Sequence, residues 1–121
     1  DEQAAEDTLS SLVDAINDAD DKVVVAGSTA TTSSSEEQHI EFSLQRANKV
    51  KDLLINLGAD SSKLIAIGIG KSYEHYRVPD TGEYATEENH SKNRCVFIVS
   101  ASSVKGKYFL DVAKKFPINE L

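Results

Sequence analysis

Sulfur is nearly absent from the 121 residues: methionine does not occur, and Cys95 is the only cysteine. A lone thiol builds neither a disulfide framework nor a thiolate zinc site, and it leaves the redox compartment open. Tryptophan is also missing, and proline occurs only twice. Positive charge is in short supply, with 13 Lys and Arg against 20 Asp and Glu and a formal net charge of -7. That balance argues against binding to a nucleic-acid backbone or an anionic lipid surface, both of which need clustered basic residues. The nearest thing to a cluster is Lys105, Lys107, Lys114 and Lys115. No apolar run approaches the length of a membrane span, and no signal-peptide apolar region is visible from Asp1. An exported protein still gives such a chain, as a mature form or as one excised domain.

What is present suffices for one modest core: 40% hydrophobic and 27% charged residues, the profile of a globular rather than a disordered chain. Asp1 to Asp7 is polar and acidic and reads as frayed. Leu9, Leu12, Val13 and Ile16 then form the stripe of an amphipathic helix, with Asp7 or Thr8 as its cap. The carboxylates of Asp18, Asp20 and Asp21 oppose the helix dipole and stop it there. Val23-Val24-Val25 is a continuous β-branched run, expected of a strand buried on both faces. Ser28 to Ser35 is a hydroxyl-rich loop. Ser35 and Gln38 form a capping box for a long helix with Ile40, Leu44, Ala47, Val50, Leu54 and Leu57 at helical spacing, ended by a left-handed Gly58. A second strand runs from Lys63 to Ile69, a long polar loop from about Lys71 to Lys92, and a third strand from Arg94 to Ser100. Phe109, Val112, Ala113 and Phe116 mark a last helix that Pro117 stops. One long helical crossover implies parallel pairing of the first two strands, and the third, reached by a loop, is free to join antiparallel.

Little in this pattern carries catalytic chemistry. Gly68-Ile69-Gly70-Lys71-Ser72 looks like the end of a phosphate loop, but Ile65 stands where that motif needs glycine and no helix follows. His39, His75 and His90 have no metal-ligand spacing. Cys95, inside an apolar run, reads as an inert core residue, and no pair of carboxylates has a catalytic spacing. The Ser28–Ser35 run offers backbone amides at a helix start, yet a solvated loop with a cap explains it as well. Tyr73, Tyr76 and Tyr84 line either a partner surface or an ordinary excursion between strands. On the long helix, His39, Ser43 and Arg46 share one face, and no carboxylate of that helix is placed to pair with Arg46. A solvated arginine and a polar pocket for a carboxylate are both open readings.

Four separated stretches resemble one family. Val23-Val24-Val25-Ala26-Gly27-x-Thr29 is similar to V-x-V-x-G-H-T-D. Phe42 to Val50 is similar to L-S-x-x-R-A-x-x-V. Leu57-Gly58-Ala59-Asp60 to Gly70 is similar to L-x-x-x-G-V-x-x-x-R-L-x-x-x-G-x-G, and Asn93 to Ile98 to N-R-R-V-x-I. In this order they resemble the OmpA-like peptidoglycan-associating domains, the family of the OmpA, Pal and MotB C-terminal regions. The resemblance covers about Leu9 to Val99. It implies an α/β fold (an α+β sandwich) with a mixed sheet packed against helices, to which this chain adds a C-terminal helix. The expected organisation is a single domain over 1–121, with a core over about 8–100 and a helical extension over 105–121.

The resemblance also implies a function: non-catalytic, non-covalent binding of peptidoglycan stem peptide of the diaminopimelate type. In typical members an Asp after the first motif and the Arg of the helix motif grip the diaminopimelate zwitterion, an anion for the ammonium and a guanidinium for the carboxylate. The Arg maps to Arg46. The Asp position falls on Ala30, or on Thr31 if the loop, about one residue longer than the family pattern, slides. Loss of one charge-assisted bond weakens such binding about ten- to a hundred-fold. Glu36 and Glu37 are the acids nearest to substitute. The implied peptidoglycan-binding residues are Arg46, Thr29, Thr31, His39 and Ser43, with no catalytic residue, metal or cofactor. The alternative is a degenerate domain serving as a structural or protein–protein module for another envelope protein. Either way the resemblance places the chain in the periplasm or cell envelope, as in an anchoring lipoprotein attached to the outer membrane through a segment outside this chain. Family members usually carry a strand before the first helix. Residues 1–7 do not look like one, so either the fragment begins after that strand or the tail helix covers the sheet edge.

Overall fold

A computed structural model describes the chain from residue 2 to 121, with side chains from Thr8 onward. Its elements are α1 (Glu2–Asp18), β1 (Val23–Ser28), α2 (Glu36–Asn56), β2 (Leu64–Gly70), α3 (Glu87–Asn93), β3 (Val96–Ser100) and α4 (Val104–Ala113). The β-branched run forms the middle of a three-stranded sheet of order β2-β1-β3. β1 pairs parallel with β2 and antiparallel with β3, and every residue of it is buried. Alternation along the strand explains why. Val23 and Val25 pack in one core with Val13 and Ile16 of α1 and Ala47 and Leu54 of α2. Val24 and Ala26 pack in the other with Ile67, Ile69 and Tyr73, beneath Phe109, Val112 and Ala113 of α4. Burying each large apolar side chain contributes about 1.5–3 kcal/mol, so two covered faces let a short sheet stand.

The placement of α2 is dictated by glycine. A Cβ on Gly27 would lie 1.9 Å from the Ser43 carbonyl oxygen, and one on Gly68 would lie 2.5 Å from that of Ile40. Backbone therefore rests on backbone, at a distance no side chain permits. The capping box forms: Ser35 Oγ accepts from Gln38 N at 3.2 Å, and Gln38 Oε1 accepts from Ser35 N at 3.0 Å. The helix ends at Leu57 and Gly58, the latter at φ +109°. Asn17 ties this end to α1 by donating to Gly58 O and accepting from Asp60 N. Lys63 donates to the carbonyls of Asn17 and Ala19. That ammonium offsets the acids at the end of α1.

Four sequence expectations need correction. α1 starts at Glu2 rather than at Asp7 or Thr8, because Glu2 to Glu6 are strong helix formers and acids favour a helix start. The expected 71–92 loop contains α3, which extends to Asn93, and short 3-10 turns at Glu74–Tyr76 and Gly82–Tyr84. Glu87–Asn93 has no apolar stripe; the Thr86 cap (Asn89 N to Oγ1, 3.2 Å) and the Lys92–Glu88 ion pair support it. β3 begins at Val96 rather than Arg94, which leaves Cys95 half-buried just outside the strand. Finally, α4 covers the second face of the sheet rather than its edge. Asn119, beyond the helix, reaches the sheet at β2: its amide donates to Gly68 O at 3.0 Å and accepts from Gly68 N at 2.7 Å.

Candidate functional site

Pairing slips by one between Gly27 and Ser28, so Ser28 faces Gly70, a glycine at φ +53°. From there the chain leaves the sheet as the Ser28–Ser35 loop, which is held from behind by the segment after β2. Ser28 Oγ donates to Asn93 O at 2.7 Å, and Thr29 N donates to Gly70 O at 2.9 Å. Asp80 Oδ2 accepts from Thr31 N at 2.8 Å and from Arg77 Nη2 at 3.1 Å. Arg77 also donates to Thr31 Oγ1 at 2.9 Å and lies 5.1 Å over the buried Tyr73 ring. Asn93 fixes the segment's other end, donating to Val78 O and accepting from Val78 N. Burial alone pushes the Asp80 carboxyl up, but hydrogen bonds from Thr31 and Asn93 and the Arg77 charge outweigh it and hold the group well below the carboxylate range.

On the α2 side the loop borders a cleft of about 400 Å³. Arg46 forms part of its wall. It is half-buried, donates to Ser28 O and has no ion-pair partner among the described residues. The rest of the lining is Arg94, His39 and His90, the hydroxyl residues Thr29, Thr32, Ser33 and Ser34, and the apolar Ala30 and Phe42. No carboxylate lines it among the described residues. Arg94 pairs with Glu87 of α3, and His90 donates from Nε2 to Asp80 O at 3.0 Å.

The structure separates the residues singled out from sequence. Arg46, Thr29 and His39 come together at the cleft, with Ala30 in its wall. His39 is 1% exposed, with Nδ1 2.9 Å from Thr29 Oγ1 and Nε2 3.5 Å from Thr32 Oγ1. Burial lowers its pKa below the ordinary 6.5, so the ring is neutral at pH 7 and orients the threonines. Ser43 and Thr31 do not line the cleft. Ser43 is fully buried between α2 and β2, donating to Ile40 O and accepting from Gly70 N. Thr31 turns its hydroxyl to Arg77. Glu36 and Glu37 line a different groove, with Lys115, Phe116 and Ile118, and so do not replace the acid missing at Ala30. Arg94 and His90 were not singled out as site residues. Arg94 stands in the last family-like motif, but only folding brings it to Arg46. Of the loop tyrosines, Tyr73 is core, Tyr76 packs on Tyr108 and Phe109, and Tyr84 is exposed.

This arrangement presents hydrogen-bond donors suited to an anion. The Arg46 guanidinium, which has no counter-ion among the described residues, and several hydroxyls supply donors, while the Arg94 fork is shared with Glu87. No helix is long and apolar enough to cross a membrane among the described residues.

Comparison with known proteins agrees with this architecture. The peptidoglycan-associated lipoprotein of Burkholderia pseudomallei superposes with a TM-score of 0.64 at 18% identity, over 78% of this chain and 75% of that one. The C-terminal domain of Helicobacter pylori MotB gives 0.63 at 19% identity, over 94% and 86%. The OmpA-like domain of FopA1 from Francisella tularensis gives 0.56 at 24% identity, over 78% and 61%. No curated protein matches in sequence. The model of the OmpA family matches residues 2–94, which take in the three helices and two strands before β3 together with Arg46 and Arg94. The chain therefore belongs to the OmpA family.

Proposed function

We propose that this chain is a non-catalytic wall-binding domain of the bacterial envelope, holding a carboxylate of a peptidoglycan stem peptide in the cleft beside Arg46. One observation carries the reading: Arg46 occupies the arginine position of the family's helix motif and stands unpaired in the wall of an open cleft. One similar structure is named as a peptidoglycan-associated lipoprotein and another as the periplasmic domain of MotB, which supports an envelope location for this chain. Attachment to the outer membrane would come through a segment outside the sequence described. With Ala30 in place of the usual acid, affinity for a free diaminopimelate zwitterion is weakened about ten- to a hundred-fold relative to a complete clamp.

Co-sedimentation with purified sacculi tests this. The wild-type chain should pellet with the sacculi and Arg46→Ala should stay in the supernatant, both giving native circular dichroism. Equal pelleting of the two, or none of either, removes the wall-binding reading.

A further inference from the structure

The cleft's charge is out of keeping with the chain around it. In a protein with 20 acidic residues and a net charge of -7, none of the acids among the described residues stands in this lining, while Arg46 and Arg94 both do. The nearby acids are engaged elsewhere. Asp80 is buried against Thr31 N and Arg77 in the wall of a separate depression, and Glu87 pairs with Arg94. Glu36 and Glu37 face another groove. Ala30, 3% exposed, contributes a methyl group and no charge. An ammonium entering this cleft would meet the uncompensated Arg46 charge and no carboxylate among the lining residues. A carboxylate would meet the Arg46 guanidinium, which no other carboxylate occupies. A neutral amide would find the hydroxyls of Thr32, Ser33 and Ser34, which both donate and accept.

From this we infer that the cleft is a single-anion site, selective for a stem-peptide carboxylate whose neighbouring amine is acylated rather than free. The inference rests on the wall-binding reading and specifies its ligand. Acylation of that amine is what peptide cross-linking does in the wall: it removes the positive charge and leaves the carboxylate. The domain thereby favours cross-linked stems over uncross-linked ones.

The test is an NMR titration of the 15N-labelled chain, following Arg46 Nε and the Thr29–Ser34 amides. Three synthetic tripeptides serve as probes: L-Ala-γ-D-Glu-meso-diaminopimelate with its side-chain amine free, the same peptide with that amine acetylated, and the acetylated peptide with the adjacent carboxylate amidated. The acetylated peptide should bind roughly three-fold or more tighter than the free-amine peptide, and amidation should weaken it by about ten-fold or more. In Ala30→Asp, once its spectrum shows a native fold, the order of the first two should reverse. Equal affinity of the first two for the wild type, or tighter binding of the free amine, overturns the selectivity and leaves wall binding standing. Absence of any shift at Arg46 with all three peptides overturns both.

Discussion

Arg46 and Arg77 donate to neighbouring carbonyls, of Ser28 and Thr29, yet they are opposite kinds of arginine. Arg77 is locked. Its charge meets Asp80, its fork reaches Thr31, and its plane lies over Tyr73. Arg46 has the carbonyl of Ser28 and an open cleft, with no carboxylate in reach among the described residues. A buried ion pair fixes a shape, because removing either member strands the other's charge. An unpaired guanidinium beside solvent does little for the fold and keeps its donors for a visitor. The same loop is thus anchored by one arginine and equipped by the other.

Stability measurements should divide the two most sharply. Asp80→Ala leaves Arg77 without a counter-ion and Thr31 N without an acceptor, and should cost about 3 kcal/mol in urea unfolding. An unchanged unfolding midpoint would show the anchor to be idle. The pH dependence should follow the same residue with a smaller effect. The folded-state pKa of Asp80 lies below its ordinary 3.8. Its stabilisation is therefore fully present above that value and is lost as pH falls toward the folded pKa, where the unfolded chain binds the proton more readily. Between about pH 4 and pH 2 the wild type should lose stability more steeply than Asp80→Asn. Comparing the two removes the contribution of Asp21, whose pKa hydrogen bonds from Ser100 and Ser102 lower to about 2. Parallel acid limbs would remove Asp80 from the account. Smallest of all, Arg46→Ala should shift stability by no more than about 1 kcal/mol, even as it abolishes sacculus binding. A loss as large as that of Asp80→Ala would make Arg46 a second anchor and break the contrast.

The fold was legible where one-dimensional patterns have a single physical outcome. Val23-Val24-Val25 can only be a strand covered on both sides, and the Ser35–Gln38 box and Gly58 bracket α2 by capping chemistry that is local. α3 was illegible because Glu87–Asn93 buries only Asn93 and offers no apolar period, and the first turn of α1 because its alanines and acids make no stripe. Part of the cleft could be read from the family-like motif, which marks Arg46 and Thr29. The remainder depends on chain segments far apart in sequence: Arg94 and His90 arrive on the far side of β2, and Asp80 claims the Thr31 amide from a loop with no pattern of its own. Ser43 shows the opposite error. Helical spacing put it beside Arg46, but the close seat of α2 on Gly68 and Gly70 uses its hydroxyl inside the fold.

That seat has a wider consequence. Because α2 touches the sheet through main-chain atoms at Gly27 and Gly68, backbone contact as well as side-chain packing sets the distance between helix and strands. The seat of the helix that carries Arg46 therefore lies outside the side chains of the loop opposite. Beyond Ser28, whose carbonyl holds the guanidinium, a side chain of the loop can change from an acid to a methyl group and leave that partner in place. Such a scaffold lets ligand preference drift one substitution at a time while the address of the binding site is kept.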